Sequence, residues 1–115
     1  MASLLCVDDN PVVLHTTERI LQKAGYDVFT AETVADAFRL LQARNFDLLL
    51  LDRVPHGGWL TAEAKRMNPS VRIALCTGDA ECGDLPLVDA VWYKPLLPTL
   101  LLRNISELLA TLRAA

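Results

Sequence analysis

The sequence predicts an α/β fold in which helices cover both faces of a doubly wound parallel sheet. The stretch FDLLLLD at residues 46–52 has four consecutive leucines and no polar alternation, as in a strand buried on both faces, although a buried helix has the same periodicity. Strand-like and helix-like segments alternate in units of roughly 20 to 30 residues, which is typical of βαβ crossovers. Several apolar strands end at a polar residue, where such sheets bind their ligands.

The composition indicates one folded domain spanning residues 1–115. The formal net charge is −3 and 52% of the residues are hydrophobic, which excludes the disordered class. Because binding to nucleic-acid phosphates needs clustered Lys and Arg, the mild acidity argues against direct nucleic-acid binding. No apolar run approaches the ~18 residues of a membrane span and no signal peptide precedes the first strand, so we expect a cytoplasmic protein without membrane contact.

The first strand is expected at Ser3–Val7, where an apolar run stops at two acidic residues. Asn10 is a favoured N-cap and Pro11 suits the first helical position, so a helix begins here and ends at Gly25. Its buried face is predicted from helical spacing to contain Val13, Thr17, Ile20, Leu21 and Ala24.

Residues 26–30 alternate more than the first strand does, so they predict a second strand nearer an edge of the sheet. Thr33 with Asp36 resembles a capping box. The helix that follows is expected to bury Val34, Ala37, Phe38 and Leu41. After the central strand at 46–52, the Pro and Gly content of residues 53–58 predicts a loop.

The second half of the chain predicts a short helix at residues 59–67 and a fourth strand at 71–76. Residues 80–87 contain a glycine and a proline and are poor helix candidates. A short fifth strand is expected at about 88–92, and Pro98 suits the start of the last helix.

The last helix carries leucine on more than one of its faces. This apolar surface is wider than the helix needs for packing on one face of the sheet. Two interpretations are open: the helix packs on its own domain with some leucine exposed, or its face forms a homodimer. Its apolar positions are Leu101, Leu102, Ile105, Leu108, Leu109 and Leu112.

The three cysteines are expected to be structural thiols. Cys6 and Cys76 lie in apolar strands and Cys82 in a loop-like segment, and none has the spacing of a zinc site.

Polar residues follow four of the predicted strands: Asp8 and Asp9 after the first, Asp52 after the third, Thr77 after the fourth and Lys94 after the fifth. In a doubly wound sheet these ends lie on one edge. Carboxylates ~4 Å apart repel by about 1 kcal/mol per pair in water and by more at lower dielectric, so the cluster needs cations. Carboxylate oxygens without a soft ligand favour Mg²⁺, which often shares its site with a phosphoryl group. The pattern therefore predicts phosphoryl transfer, with an aspartate as nucleophile.

With these positions in this order, the chain resembles the receiver domain of two-component response regulators over its whole length. The resemblance implies a flavodoxin-like strand order 2-1-3-4-5. It implies that Asp52 is the phosphoacceptor and Thr77 the switch hydroxyl, and that Lys94 contacts the phosphoryl group. Trp92, two residues before this lysine, would be the aromatic switch residue.

The resemblance also implies the metal site. Asp8 and Asp9 match the acidic pair of the family, in which the second acid is usually the direct ligand of Mg²⁺. Asp52 and the main-chain carbonyl of Val54 would complete the protein ligands.

The resemblance further implies partners and a mode of action. A histidine kinase or a histidine phosphotransfer protein would donate a phosphoryl group to Asp52 in a Mg²⁺-dependent step, and the acyl phosphate would alter a protein-interaction surface. Such a domain is a switch, not an enzyme with turnover, since it catalyses only its own phosphorylation and dephosphorylation.

The sequence departs from the family in three places. Thr77 follows Asp52 by 25 residues and Lys94 follows Thr77 by 17; both intervals are short for a receiver and predict a shortened third helix and a reduced fourth helix, between the fourth and fifth strands. Pro55 stands one residue closer to Asp52 than the proline of this loop usually does in the family. Arg53 is a cation that would compete with the metal.

These departures motivate an alternative: a degenerate receiver that acts as a phosphorylation-independent docking or dimerisation module. A phosphatase with an aspartate nucleophile is disfavoured, because such enzymes usually carry a second acid at the position that Val54 occupies.

Overall fold

Five strands and four helices alternate along residues 1–52, 56–78 and 87–111, which are the residues that the computed structural model describes. In chain order they are β1 (Ser3–Val7), α1 (Pro11–Lys23), β2 (Asp27–Ala31), α2 (Val34–Ala43), β3 (Leu48–Asp52), α3 (Gly57–Met67), β4 (Arg72–Thr77), β5 (Ala90–Tyr93) and α4 (Pro98–Thr111).

The strands form one parallel sheet in the order β2-β1-β3-β4-β5. This confirms the predicted doubly wound, flavodoxin-like arrangement. The run of leucines forms the central strand β3, in which residues 48–51 are all buried, so the strand interpretation was correct and the buried helix was not. Because all strands run in the same direction, their carboxyl ends lie on one edge of the sheet.

The two faces of the sheet carry separate apolar cores. Leu5, Leu49 and Leu51 pack on one face against α2 and α3. Leu4 and Leu50 pack on the other face against α1 and α4. This alternation follows from the two-residue period of a strand, and it decides on which face each functional side chain lies.

Helix α1 begins and ends as predicted. The Asn10 side chain caps it by accepting hydrogen bonds from the backbone N–H groups of Val12 and Val13, at 3.0 and 3.3 Å. After the helix, Gly25 has a φ of +96° and donates its N–H to the carbonyl of Gln22 at 3.0 Å. Only glycine adopts this left-handed conformation without a steric cost.

The predicted buried face of α1 was partly wrong. The fully buried positions are Leu14 and Leu21, two turns apart, and Leu14 was missed. Val13 is 38% exposed because it lies about 100° around the helix from Leu14. Ala24 is exposed because it follows the last helical residue.

Helix α2 confirms the prediction made from its cap. The hydroxyl of Thr33 accepts the backbone N–H of Asp36 at 3.1 Å. Ala37 is fully buried against the sheet, and Phe38 is half-buried in the same core. Strand β2, which α2 follows, is at an edge of the sheet, as predicted.

The remaining boundaries differ from the predicted ones by one or two residues. Helix α3 begins at Gly57, and β5 begins at Ala90 and includes Tyr93. The predicted loop at 53–55 and the poor helix candidate at 80–86 lie outside the described residues.

Helix α4 packs mainly on its own domain. Leu101 and Ile105 are fully buried, and three further leucines of the helix are half-buried against the same core. Leu97 and Leu100 are exposed at its N-terminal end. Leu112 lies outside the described residues.

Candidate functional site

The carboxyl edge of the sheet brings together four of the predicted side chains. Asp52 is the last residue of β3 and Thr77 the last of β4. Asp8 directly follows β1, one position beyond the pairing of Val7 with Leu51, and Lys94 directly follows β5. Parallel pairing therefore produces the convergence that the sequence predicted.

Asp8 is a buried carboxyl group beside a second one. Its side chain is only 6% exposed and hydrogen-bonds with the side chain of Asp52. Burial and the neighbouring Asp52 together raise the pKa of Asp8 to about 6, although the N–H of Asn10, 2.9 Å from Asp8 Oδ1, opposes the shift. Two adjacent carboxyl groups share a proton readily, because they cannot both ionise without cost.

Asp9 lies apart from this pair. It is exposed, and no group of three His, Cys, Asp or Glu side chains within the described ranges lies close enough to hold a metal ion. Val54, whose carbonyl was predicted as a ligand, lies outside those ranges. The metal site with four protein ligands stays a prediction. Of these four ligands, Asp8 and Asp52 lie together in the structure.

Lys94 supplies the positive charge of the site. Its Nζ donates a hydrogen bond to Asp52 Oδ2. Its backbone N–H donates to the carbonyl of Thr77 at 2.8 Å, and the peptide between Lys94 and Pro95 is cis. The ammonium is thus held at the end of β5, directly above the acidic end of β3.

Thr77 and the aromatic residues of β5 lie on defined faces of the sheet. Thr77 is buried and pairs with Tyr93, while Trp92 pairs with Cys76. Trp92 packs in the core under α1 and α4, and neighbouring strand residues point to opposite faces. Trp92 is therefore on the face opposite to Thr77. Its switch role stays a prediction, and Tyr93, half-exposed, is the aromatic residue beside the hydroxyl.

Tyr93 was missed because the predicted strand ended one residue too early. The alternation of faces along a strand could have identified it. Leu75 and Thr77 are two residues apart and lie on the same face of β4. Val91 pairs with Leu75, so Tyr93, two residues after Val91, lies on that face beside Thr77.

Two buried thiols lie under the site. Cys6 and Cys76 are free, and burial raises the pKa of each to about 12, with smaller contributions from neighbouring acidic groups. They stay protonated at neutral pH, and their structural role stays a prediction. Cys82 lies outside the described residues.

The donor set fits Mg²⁺. Two adjacent carboxylates with no thiolate or imidazole in the pair offer hard oxygen ligands, and Mg²⁺ commonly uses one or two carboxylates and keeps several waters. Asp8 and Asp52 would hold the ion, and its charge would offset their mutual repulsion.

Helices long and apolar enough to cross a bilayer are not found in residues 1–52, 56–78 or 87–111.

Comparison of the sequence with known proteins gives consistent matches. The family model of the response regulator receiver domain matches residues 4–87. The transcriptional regulatory protein GlrR of Escherichia coli is 34% identical over 86 residues, which are 72% of this chain but 19% of GlrR. Protein PilH of Pseudomonas aeruginosa is 29% identical over 103 residues, covering 82% of this chain and 78% of PilH. The chain thus spans about a fifth of the length of GlrR and most of the length of PilH.

Solved structures match over nearly the whole chain. A CheY-like receiver domain protein from Methanospirillum hungatei superposes with a TM-score of 0.90 at 30% identity, covering 99% of this chain and 98% of that one. The response regulator TrrA of Thermotoga maritima, solved in complex with Mg²⁺–BeF, superposes with a TM-score of 0.84 at 27% identity, covering 94% of this chain and 99% of TrrA.

Proposed function

The chain belongs to the response regulator receiver domain family, and from this premise we propose that it is a phosphoacceptor switch whose reacting group is Asp52. The contact between Lys94 Nζ and Asp52 Oδ2 at the carboxyl edge of the sheet supports this proposal most directly. An ammonium beside a carboxylate nucleophile stabilises the charge of an incoming phosphoryl group.

The proposed step transfers one phosphoryl group. A carboxylate oxygen of Asp52 attacks the phosphorus of a phosphohistidine, the bond between phosphorus and the imidazole nitrogen breaks, and its electron pair leaves with that nitrogen, which takes up a proton. Lys94 and Thr77 then hold oxygens of the acyl phosphate.

Magnesium is part of this proposal. Asp8 and Asp52 would bind it, together with Asp9 and the main-chain carbonyl of Val54. When bound, the ion supplies positive charge for the phosphoryl oxygens and carboxylates.

The proposed partners follow from the proposed chemistry. A histidine kinase or a histidine phosphotransfer protein is the donor, and residues 1–115 act as one domain that presents a changed surface after phosphorylation. Leu97 and Leu100, exposed at the start of α4, are where homodimerisation through the C-terminal helix would begin. The chain turns over no other substrate.

A second candidate function rests on the exposure of Asp9. If Asp9 supplies no ligand and the metal does not bind, the domain acts as a phosphorylation-independent docking or dimerisation module. This alternative keeps the fold and the ion pair of Asp52 with Lys94, and it requires no Mg²⁺.

The two functions are separated by amide NMR spectra recorded with Mg²⁺ and then with Mg²⁺ and beryllofluoride, a phosphoryl mimic. The phosphoacceptor function requires Mg²⁺-dependent shifts around Asp52 and a second set, with the mimic, that extends to Thr77. Asp52→Asn must abolish the second set. Asp47→Asn is the matched control, since the Asp47 carboxylate accepts the Ser3 N–H at 2.8 Å at the opposite edge of the sheet. Unchanged spectra of the native domain would establish the docking module.

A further inference from the structure

An open apolar groove lies between α2 and α3, on the face of the sheet opposite to α1 and α4. Val34 and Phe38 of α2 and Trp59 of α3 supply its apolar lining, and its volume is about 700 Å³. Gln42, at its other end, is eight residues after Val34, so the groove is about 12 Å long along the helix. The carboxylates and the ammonium of the acidic site line a different cavity.

Trp59 gives the groove an uncovered aromatic surface. It is 49% exposed although it has one of the largest apolar side chains. Its ring packs against the ring of Phe38, with 5.0 Å between the ring centroids and 51° between the planes. The two rings together form an aromatic wall, and exposed aromatic rings of this kind are enriched where proteins bind partners.

The polar side chains that line the groove are mainly hydrogen-bond donors. Arg39 and Trp59 carry N–H groups and no acceptor, whereas Gln42 and a neutral His56 carry both kinds of group. Within residues 1–52, 56–78 and 87–111, the side chains of Gln42, His56 and Trp59 make no hydrogen bond to the protein. Arg39 already pairs with Asp36 at 2.7 Å, so the groove does not select its ligand by net charge. It selects an apolar ligand that carries acceptors.

Three backbone conformations of a bound segment differ in how they match these donors. An α-helix uses its carbonyl groups internally, so the donors of the groove would lose water without gaining an acceptor. An extended strand brings its own N–H groups, for which the groove offers few acceptors. A polyproline II segment has free carbonyl groups, and its prolines have no N–H. About four of its residues, at ~3.1 Å each, match the length of the groove.

We propose that this groove binds a proline-rich segment of a partner protein in the polyproline II conformation. A proline ring packs against Trp59 and Phe38, and backbone carbonyl groups of the segment accept hydrogen bonds from the surrounding donors. Aromatic-lined grooves recognise such segments because the polyproline II helix is already ordered before it binds. Docking here goes beyond the proposed function, since it needs neither Mg²⁺ nor phosphorylation of Asp52.

The test uses acetyl-nonaproline amide as the probe, followed by NMR of the Trp59 indole N–H and of the α2 amides. A Gly–Ser peptide of equal length has the carbonyl groups without the rings. A stapled amphipathic helix of Leu, Ala and Lys has the apolar surface without free carbonyl groups. The proline peptide is expected to bind at least tenfold more tightly than either control. Equal or tighter binding of the stapled helix or of the Gly–Ser peptide would overturn the proposal.

Dilution of the domain without peptide tests a different occupant, a second copy of the chain. The Trp59 indole signal is expected to keep its position on dilution. A shift that depends on protein concentration would assign the groove to self-association and would contradict the proposal.

Two matched variants locate the binding. Ala35 lines the groove on α2, and Ala110 lies on α4, on the other face of the sheet; both are exposed. Lysine is a good helix former, so both substitutions are expected to fold. Ala35→Lys fills the groove and should weaken binding of the proline peptide at least fivefold, whereas Ala110→Lys should change it less than twofold. Equal binding by the two variants would refute the proposal.

Trp59→Ala removes the aromatic wall and is expected to weaken binding at least tenfold, because exposed aromatic anchors dominate such contacts. Val12→Ala is its control, since Val12 is 73% exposed on α1 and should be replaceable without effect on binding. Unchanged affinity in Trp59→Ala, measured from the α2 amides, would show that the ring is not the anchor and would overturn the proposal.

Discussion

Lys94 Nζ donates a hydrogen bond to Asp52 Oδ2, so a positive charge of the protein itself lies beside the central carboxylate of the site. A bound Mg²⁺ would use the same carboxylate. The lysine is therefore expected to compete with the metal for this carboxylate, although it is also expected to stabilise the acyl phosphate.

Replacing Lys94 by Gln is expected to strengthen Mg²⁺ binding by roughly three- to tenfold, because a competing positive charge about one ion-pair distance away is removed. Titration calorimetry with MgCl₂ measures the affinity. Arg103→Gln is the control, since it also removes one positive charge, from an exposed pair with Glu107 on α4. An unchanged or weaker affinity in Lys94→Gln would mean that the lysine does not compete with the ion.

Asp8 is expected to destabilise the metal-free fold at neutral pH. Burial raises its pKa to about 6, above the ~3.9 of an unfolded aspartate. A raised pKa contributes stability that is complete below pH ~4 and lost as the pH rises through about 6. In EDTA, Asp8→Asn should therefore raise the free energy of unfolding at pH 7.5 by about 1 to 2 kcal/mol, and by much less at pH 4.

Urea unfolding at the two pH values measures this difference. Asp9→Asn, at the neighbouring exposed position, should change the free energy by less than about 0.5 kcal/mol at either pH. Equal effects of the two substitutions would show that burial does not control the Asp8 carboxyl.

Asp89 fixes the beginning of β5 at the opposite edge of the sheet. Its Oδ2 accepts the Ile73 N–H at 2.8 Å and Lys65 Nζ at 3.0 Å. Asp89→Ala removes the acceptor of both bonds, so we expect a loss of about 1 to 3 kcal/mol of unfolding free energy. Asp36→Ala breaks an exposed pair with Arg39 and should cost less than about 1 kcal/mol. Similar losses from the two substitutions in denaturant titrations would disprove this role of Asp89.

The two strand cysteines are expected to resist alkylation. Burial raises the pKa of Cys6 and of Cys76 to about 12, and the thiolate is the reactive form. In a Cys82→Ser variant, iodoacetamide at pH 8 should modify neither thiol in the folded protein and both in urea, as counted by intact mass. Rapid labelling of the folded variant would mean that the core under the site opens readily.

Sequence patterns that depend on neighbouring residues predicted the fold well. The Asn10 cap, the left-handed Gly25 and the leucine run of β3 each have a local physical cause, and the structure contains all three. The strand order came from the family resemblance, and the order of the sheet confirms it. The convergence of Asp8, Asp52, Thr77 and Lys94 followed from the rule that parallel strands end on one edge.

Features that depend on which of two neighbouring residues faces the core were not all predicted correctly. Leu14 and Val13 differ by one helical position, and only packing on the sheet decided which is buried. Trp92 and Tyr93 differ by one strand position and lie on opposite faces of the sheet, and the sequence pattern assigned neither of them to a face. The exposure of Asp9 depends on how the chain leaves β1, which is not encoded in a local pattern.

The measurement that tests the central claim most directly is intact mass after incubation with acetyl phosphate, with and without Mg²⁺. The native domain should gain one phosphoryl group only when Mg²⁺ is present, Asp47→Ala should gain it equally, and Asp52→Ala should gain none. Failure of the native domain to gain mass, or the same gain in Asp52→Ala, would contradict the assignment of Asp52 as the phosphoacceptor.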